Sequence, residues 1–564
     1  MLAVDRASDA AADQIDDLVD RILREVPGLY QGDSSVGQTD WRPIARDQAA
    51  WLRLSALNKC GRLNDVGQTY LAEIKARQRH LDREFEDSDL FSVYTSGVRQ
   101  VVGDPAPLLT AEPAERLNIA HDLQTSRNFD DRESWAAYSA TDPESALETL
   151  LSGDPVGDAS LWTGFFNAIV RPPDNDLDRQ NLSRRLLERS FEHLKDVDEA
   201  FLRVTSSALI DGLISASKLG ADIRHDWWDR LWRIAESEEA DDIPTDGVRF
   251  YQRVINSLGG RLAEHLLLKI DHRRKAGAKP SRIDLARMKT IMRSDTPAGH
   301  LGRGALVNDF GFVWSLGAHR VQRDLVPWLH PDTAKGAALR AVLVDYARLL
   351  QPEATRAVKD AILRGVQESD ARNVEKRSVA AKLLYPVLCQ IRGDGDAHSG
   401  LTSAEVRRAL SHAKPGVREG AASCLRQWVG QTGHVAAEGW RKIIRPLFEA
   451  TWPADRACCD EASTHELAAL CVGAGDAFPE ALALVMPFLT PFEQEWPNIG
   501  FLGTSNAPEL FPRESLELIW KLCGPSSQSK RHDLAPVLDR ITRARPELSA
   551  DRRFQWLEDR GFRR

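Results

Sequence analysis

The densest gathering of side chains able to hold a metal is CCDEASTHELAALC, from Cys458 to Cys471, with Cys458, Cys459, His465 and Cys471. Thiolates and imidazoles suit zinc, but structural zinc sites use short-spaced pairs, and two adjacent cysteines rarely both reach one tetrahedral ion. His465-Glu466 also lacks the second histidine that a metalloprotease helix needs. The segment therefore reads as a helix capped by Ser463 or Thr464, with Cys471 buried as a small apolar residue. A second gathering, IRGDGDAHSGLTSAE from Ile391 to Glu405, puts Asp394, Asp396 and Glu405 at ligand positions of a calcium loop. Ser399 stands where that loop needs glycine, and His398 where it needs Asp or Asn. Thr402 and Glu405 instead form a capping box, each satisfying a free N–H at a helix start.

Two glycine-rich stretches raise the question of a phosphate cradle. In LCVGAGDAFPEAL, Leu470 to Leu482, Gly473 and Gly475 begin a dinucleotide fingerprint, but Phe478 occupies the third glycine position. The preceding residues have helical spacing rather than that of a strand. The stretch reads as an inter-helix turn, with Gly473 or Gly475 left-handed, Asp476 capping the next helix and Pro479 in its first turn. TPAGHLGRGALVNDFG, Thr296 to Gly311, contains His300 and Arg303 but follows no strand, so it reads as a loop and helix start. Neither GxSxG nor a P-loop occurs. No catalytic residue, metal ligand set or cofactor is expected, and the chain reads as a non-enzyme.

Two binding candidates remain. Lys269 to Arg293 carries nine cations, Lys269, Arg273, Arg274, Lys275, Lys279, Arg282, Arg287, Lys289 and Arg293, against Asp271 and Asp284. Such a run can meet phosphates or an acidic partner, although no aromatics interleave to stack on bases. Equally, it can be a solvated inter-helix connection. Further upstream, RHDWWDRLWRI holds Trp227, Trp228 and Trp232. Trp228 and Trp232 lie four apart on one helix face. They suit core packing, and alternatively an aromatic anchor for a partner.

The elements that must position these residues are helical. Apolar residues recur three and four apart in LAEHLLLKI and KGAALRAVLVDYARLL, while strand-like alternation is nearly absent. With 564 residues, 42% hydrophobic and 28% charged, the chain is globular and too long for one compact core. Its net charge of −9 argues against a globally basic nucleic-acid binder. No run of about 18 apolar residues suggests a membrane span. An acidic start and seven cysteines without a CxxC pair point to the cytoplasm.

Repetition is visible too. AKPGVREGAASCLRQWV, Ala413 to Val429, opens on Pro415 and carries a stripe of Val417, Ala421, Ala422 and Leu425, with Arg418 following a valine as in HEAT-type repeats. Phe478-Pro479 recurs at Phe511-Pro512, a helix-pair period. DPESALETLL, Asp142 to Leu151, is a looser relative. The expected fold is all-α, a HEAT-like helical-repeat solenoid body, in three regions: 1–130, 131–250 and 251–564.

At this point the chain resembles a bacterial helical domain of unknown function that accompanies sirtuin-like NAD-hydrolysing domains in antiphage defence proteins. The resembling pieces are LVPWLHPD (325–332), RPLFEATWP (445–453), LAALCVGAGDAFPEAL (467–482) and PELSADRRFQWLED (546–559). ESWAAYSATDPESAL (133–147) and WWDRLWRIAE (227–236) resemble the helical region before that domain. The sirtuin-like domain opens on a glycine-rich NAD loop, whereas the first 60 residues here are helical in pattern. The resemblance implies a scaffold or sensor that recognises a protein partner, an effector or a phage component, and acts with a separately encoded enzyme. The alternative is a nucleic-acid-binding solenoid using residues 269–293.

Overall fold

The computed structural model describes residues 19, 20, 22, 42–59, 61–78, 81–82, 103–126, 131, 133–170, 176–221, 223, 226–238, 243–244, 246–369, 376–393, 400–431, 435–492, 499–523 and 534–561. Every regular element among them is helical, so the fold is all-α. The calcium-loop positions Asp394, Asp396, His398 and Ser399 lie outside the described residues. The chain divides into two compact units, Met1–Val101 and Val102–Arg564.

In the first unit, α1 (Arg42–Lys59) packs on α2 (Asp65–Arg77). Asn64 caps α2 by accepting from the Gly67 N–H. Trp51, Leu54, Leu57 and Ile74 form its core.

The second unit is threaded by a row of helices, each packed on the next: α3 (Ala159–Ile169), α4 (Glu199–Leu219), α5 (Leu258–Lys275) and α6 (Pro297–Asn308). The row passes through the π-helical turn Val342–Tyr346 to α7 (Lys376–Arg392), α8 (Pro415–Val429) and α9 (Glu461–Gly473). The stripe expected on α8 is observed: Val417, Ala421, Ala422 and Leu425 are fully buried, and Pro415 sits in the first turn. Glycines let neighbouring helices approach closely. A methyl group on Gly304 of α6 would lie 2.5 Å from Val254, and one on Gly420 of α8 would lie 2.2 Å from the Lys376 carbonyl oxygen. The glycine-rich stretch after Thr296 is thus a packed helix rather than a loop.

A recurring device joins successive helices. Arg303 donates to the Ser294 carbonyl at 2.5 Å, and Arg340 to the Leu329 and Pro331 carbonyls at 2.9 Å each. Lys382 donates to the Val344 carbonyl at 2.8 Å, and Arg418 to the Ala413 carbonyl at 2.5 Å. All four cations are buried. Carbonyls at the end of a helix have no intrahelical partner, and a long cation from another helix supplies one. These cations succeed one another at about 40 residues, within the range of helix-pair repeats. Arg418 also reaches Asp460 at 2.7 Å, tying α8 to the start of α9.

Two local expectations change. Asp460 caps α9, accepting from the Ser463 N–H at 2.8 Å; the Ser463 and Thr464 hydroxyls bond back to the Asp460 carbonyl instead. A carboxylate at the N-terminus also meets the helix dipole. In the turn that follows, Gly475 is the left-handed residue, with φ 61°, and Asp476 makes no cap to the helix Phe478–Val485. Pro479 does occupy that helix's first turn. Phe478 and Phe511, the two halves of the repeated Phe-Pro pair, meet edge to face with ring centroids 5.9 Å apart. The capping box of Thr402 and Glu405 is present as expected.

Candidate functional site

The nine cations of the basic segment do not form one surface. The segment folds as the end of α5, a turn through left-handed Gly277, and the helix Arg282–Arg293. Arg287 turns inward, is 5% exposed and grips Asp229 with two hydrogen bonds of 3.1 and 2.6 Å. Lys269 lies 3.3 Å from Asp284, which is completely buried. Burial opposes the charge on Asp284, but the Ser281 hydroxyl and the Lys269 cation hold its carboxyl below the usual range. Arg293 is tied to Asp324 at 2.9 Å, Lys275 to Asp271 at 2.7 Å, and Arg274 donates to Ser315. Lys279, Arg282 and Lys289 are exposed.

The three tryptophans are core residues. Trp227, Trp228 and Trp232 are 1%, 3% and 4% exposed. Trp228 stacks on Trp232 with centroids 5.2 Å apart, and its indole N–H donates to the Leu262 carbonyl at 3.1 Å. Trp227 meets Phe191 edge to face, with the Arg230 guanidinium over its ring at 4.7 Å. The partner-anchor expectation is therefore corrected: these indoles join helices inside the molecule and present no face to an approaching protein.

Both candidates nevertheless converge on one feature. A cavity of about 190 Å³ opens between α4, α5 and the helices Asp226–Glu238 and Arg282–Arg293. Its apolar wall includes Leu213, Ala216, Ile223, Trp227 and Trp228; its polar wall includes His265, Lys269, His272, Arg273 and Arg287. Gly220 stands at its edge. Left-handed at φ 69°, it ends α4, and a methyl group there would lie 3.3 Å from His272 Nε2. His265 is buried, and among the described residues its Nδ1 has no hydrogen-bond partner. Burial, with Lys269 and Arg287 nearby, pushes its pKa down to about 3, so the ring is neutral at ordinary pH. Arg273 Nε is likewise buried without a partner among the described residues.

Sequence reasoning singled out the indoles and cations but passed over His265 and His272. A signal was present: 265, 269, 272 and 273 follow the three- and four-residue spacing of one helix face.

The zinc candidates stay apart in their bonding. The Cys458 thiol points at the Ser411 carbonyl and Cys459 at that of Pro487, while Cys471 is fully buried with its thiol pKa pushed up by desolvation. Among the described residues, no three His, Cys, Asp or Glu side chains gather as a metal ion would require. Glu405 of the calcium-like stretch is engaged by its capping box and by Lys359 at 2.6 Å. Among the described residues no single helix is long and apolar enough to cross a membrane.

No family model matches the chain. No solved structure matches it. Among curated proteins, y4cA of Sinorhizobium fredii (strain NBRC 101917 / NGR234), described as uncharacterized, is 32% identical over 562 residues. That match takes in 98% of this chain and 46% of the relative, so the chain spans about half the length of the curated relative it matches.

Proposed function

We propose that the chain is a non-enzymatic, HEAT-like helical-repeat scaffold or sensor that recognises a protein partner in the cytoplasm, as part of a bacterial antiphage defence system. The observation that carries the reading is the row from α3 to α9, in which each helix packs on the next and buried cations recur at about 40 residues. Repeat units cannot bury their apolar faces alone, and stacking them leaves extended surfaces suited to recognition. Binding there would shift the state of an associated effector, to the extent that the partner favours one state over the other. The defence context rests on the sequence resemblance.

Reconstitution provides the test. The gene, with its neighbours, is placed in a phage-sensitive bacterium and challenged with a phage panel. Plating is expected to fall at least about ten-fold for some phage, and to recover when this chain alone is deleted. Unchanged plating across the panel would remove the defence reading. Turnover of NAD or nucleic acid by the isolated chain, lost on a single point change, would remove the non-enzymatic one.

A second reading, nucleic-acid binding, draws on the exposed Lys279, Arg282 and Lys289. With Arg287 and Lys269 engaged inside, the patch is smaller than the sequence suggests. Binding that weakens steeply with salt, and falls on Lys279→Glu with Arg282→Glu, supports it; salt-independent or absent binding dismisses it.

A further inference from the structure

The cavity between α4 and α5 has an unusual balance. Among the described residues, its wall carries Lys269, Arg273 and Arg287 but no carboxylate. Lys269 and Arg287 have protein carboxylates behind them, Asp284 and Asp229. Among the described residues no such ion pair stands behind Arg273, and its Nε is buried without a hydrogen-bond partner. His265 belongs to the same lining, its buried Nδ1 having no hydrogen-bond partner among the described residues. A cation on the wall with no carboxylate behind it suits an anionic guest, which would supply the missing countercharge.

Size narrows the guest. At about 190 Å³ the cavity exceeds many times the space one water needs, yet falls below the roughly 300 Å³ at which drug-sized ligands are held. The apolar lining residues Leu213, Ala216 and Ile223 suit a small apolar body. A planar guanidinium pairs with the two oxygens of a carboxylate or phosphate, and an ammonium adds a point charge beside it.

We propose that this cavity binds a small organic oxyanion, a phosphate or carboxylate on a compact apolar body, with the anion at Arg273 and Lys269. The site stands on its own geometry and goes beyond the partner-binding role, since it would operate whether or not a protein partner is engaged.

The test is calorimetric titration of the purified chain with phenyl phosphate, benzoate, inorganic phosphate and phenol, alongside the intrinsic fluorescence of the wall tryptophans. Binding of phenyl phosphate or benzoate, with phenol silent, is the expected result. The stronger of the two identifies the oxyanion as phosphate or carboxylate, and inorganic phosphate measures the anion's share. Arg273→Ala is expected to weaken binding about ten- to hundred-fold, the loss of one charged hydrogen-bonding group. Ser217→Phe, which plugs the cavity while leaving every cation in place, is expected to abolish it, and Lys289→Ala to leave it unchanged. Circular dichroism confirms that each variant is folded, and if Arg273→Ala is not, Ser217→Phe decides. The proposal is overturned if no oxyanion binds at millimolar concentration, if phenol binds equally well, or if binding survives in both folded cavity variants.

Discussion

His300 in α6 is fully enclosed, lies 5.1 Å from the Phe250 ring, and has among the described residues no hydrogen-bond partner for either ring nitrogen. Burial, reinforced by Arg303 and Lys335, pushes its pKa down to about 3. His265 is held equally low. The unfolded chain accepts a proton on each ring as pH falls below about 6.5, whereas the fold refuses it down to about 3. Stability is thus full above pH 6.5 and falls as pH drops through that window, by up to about 2 kcal/mol per ring by pH 5. His300→Leu is expected to hold or raise the melting temperature at pH 7 and to shrink its drop between pH 7 and 5; an unchanged drop would show that His300 does not carry the acid sensitivity. Arg418, 6% exposed and tied to both Asp460 and Ala413, behaves oppositely: Arg418→Ala removes the cation that holds the half-buried Asp460 carboxylate and the Ala413 carbonyl, and is expected to cost roughly 2 kcal/mol in chemical denaturation. Lys289→Ala, on the exposed face of the helix Arg282–Arg293, is expected to change stability by less than about 0.5 kcal/mol.

Between elements, the close approach of α8 to α7 depends on the missing side chain of Gly420. Alanine is the better helix former by about 1 kcal/mol, and on propensity alone Gly420→Ala would stabilise. Its new methyl would meet backbone, the Lys376 carbonyl oxygen at 2.2 Å, so the net expectation is a loss of about 1–3 kcal/mol, read from the denaturation midpoint. A stabilised variant would mean that the two helices can separate cheaply. At this scale the sequence was informative wherever partners are close along the chain. The Thr402–Glu405 capping box, the α8 stripe and the helical turn at Gly475 were all legible, because each depends on spacings of a few residues. The choice of Asp460 over Ser463 as the α9 cap was not, since Asp460, Ser463 and Thr464 all have the right chemistry and only Asp460 has the extended backbone of a cap.

For the whole molecule, charge misled because neutralising partners come from far along the chain. Arg287 and Asp229 are 58 residues apart, and Arg293 and Asp324 are 31 apart, so a run of cations that reads as a surface is partly spent inside. The cavity was illegible for the same reason: its walls come from α4, α5 and two further helices, and no single stretch contains it. The all-α architecture survives these errors because helical periodicity is repeated in every segment. The proposed scaffold role is a claim about the assembled row of helices, so its most direct test weighs the assembly itself. Native mass spectrometry of the tagged chain, captured gently from its host cells, is predicted to give the mass of this chain plus a second protein in fixed ratio. Recovery of the chain only by itself, from infected and uninfected cells alike, would contradict the account.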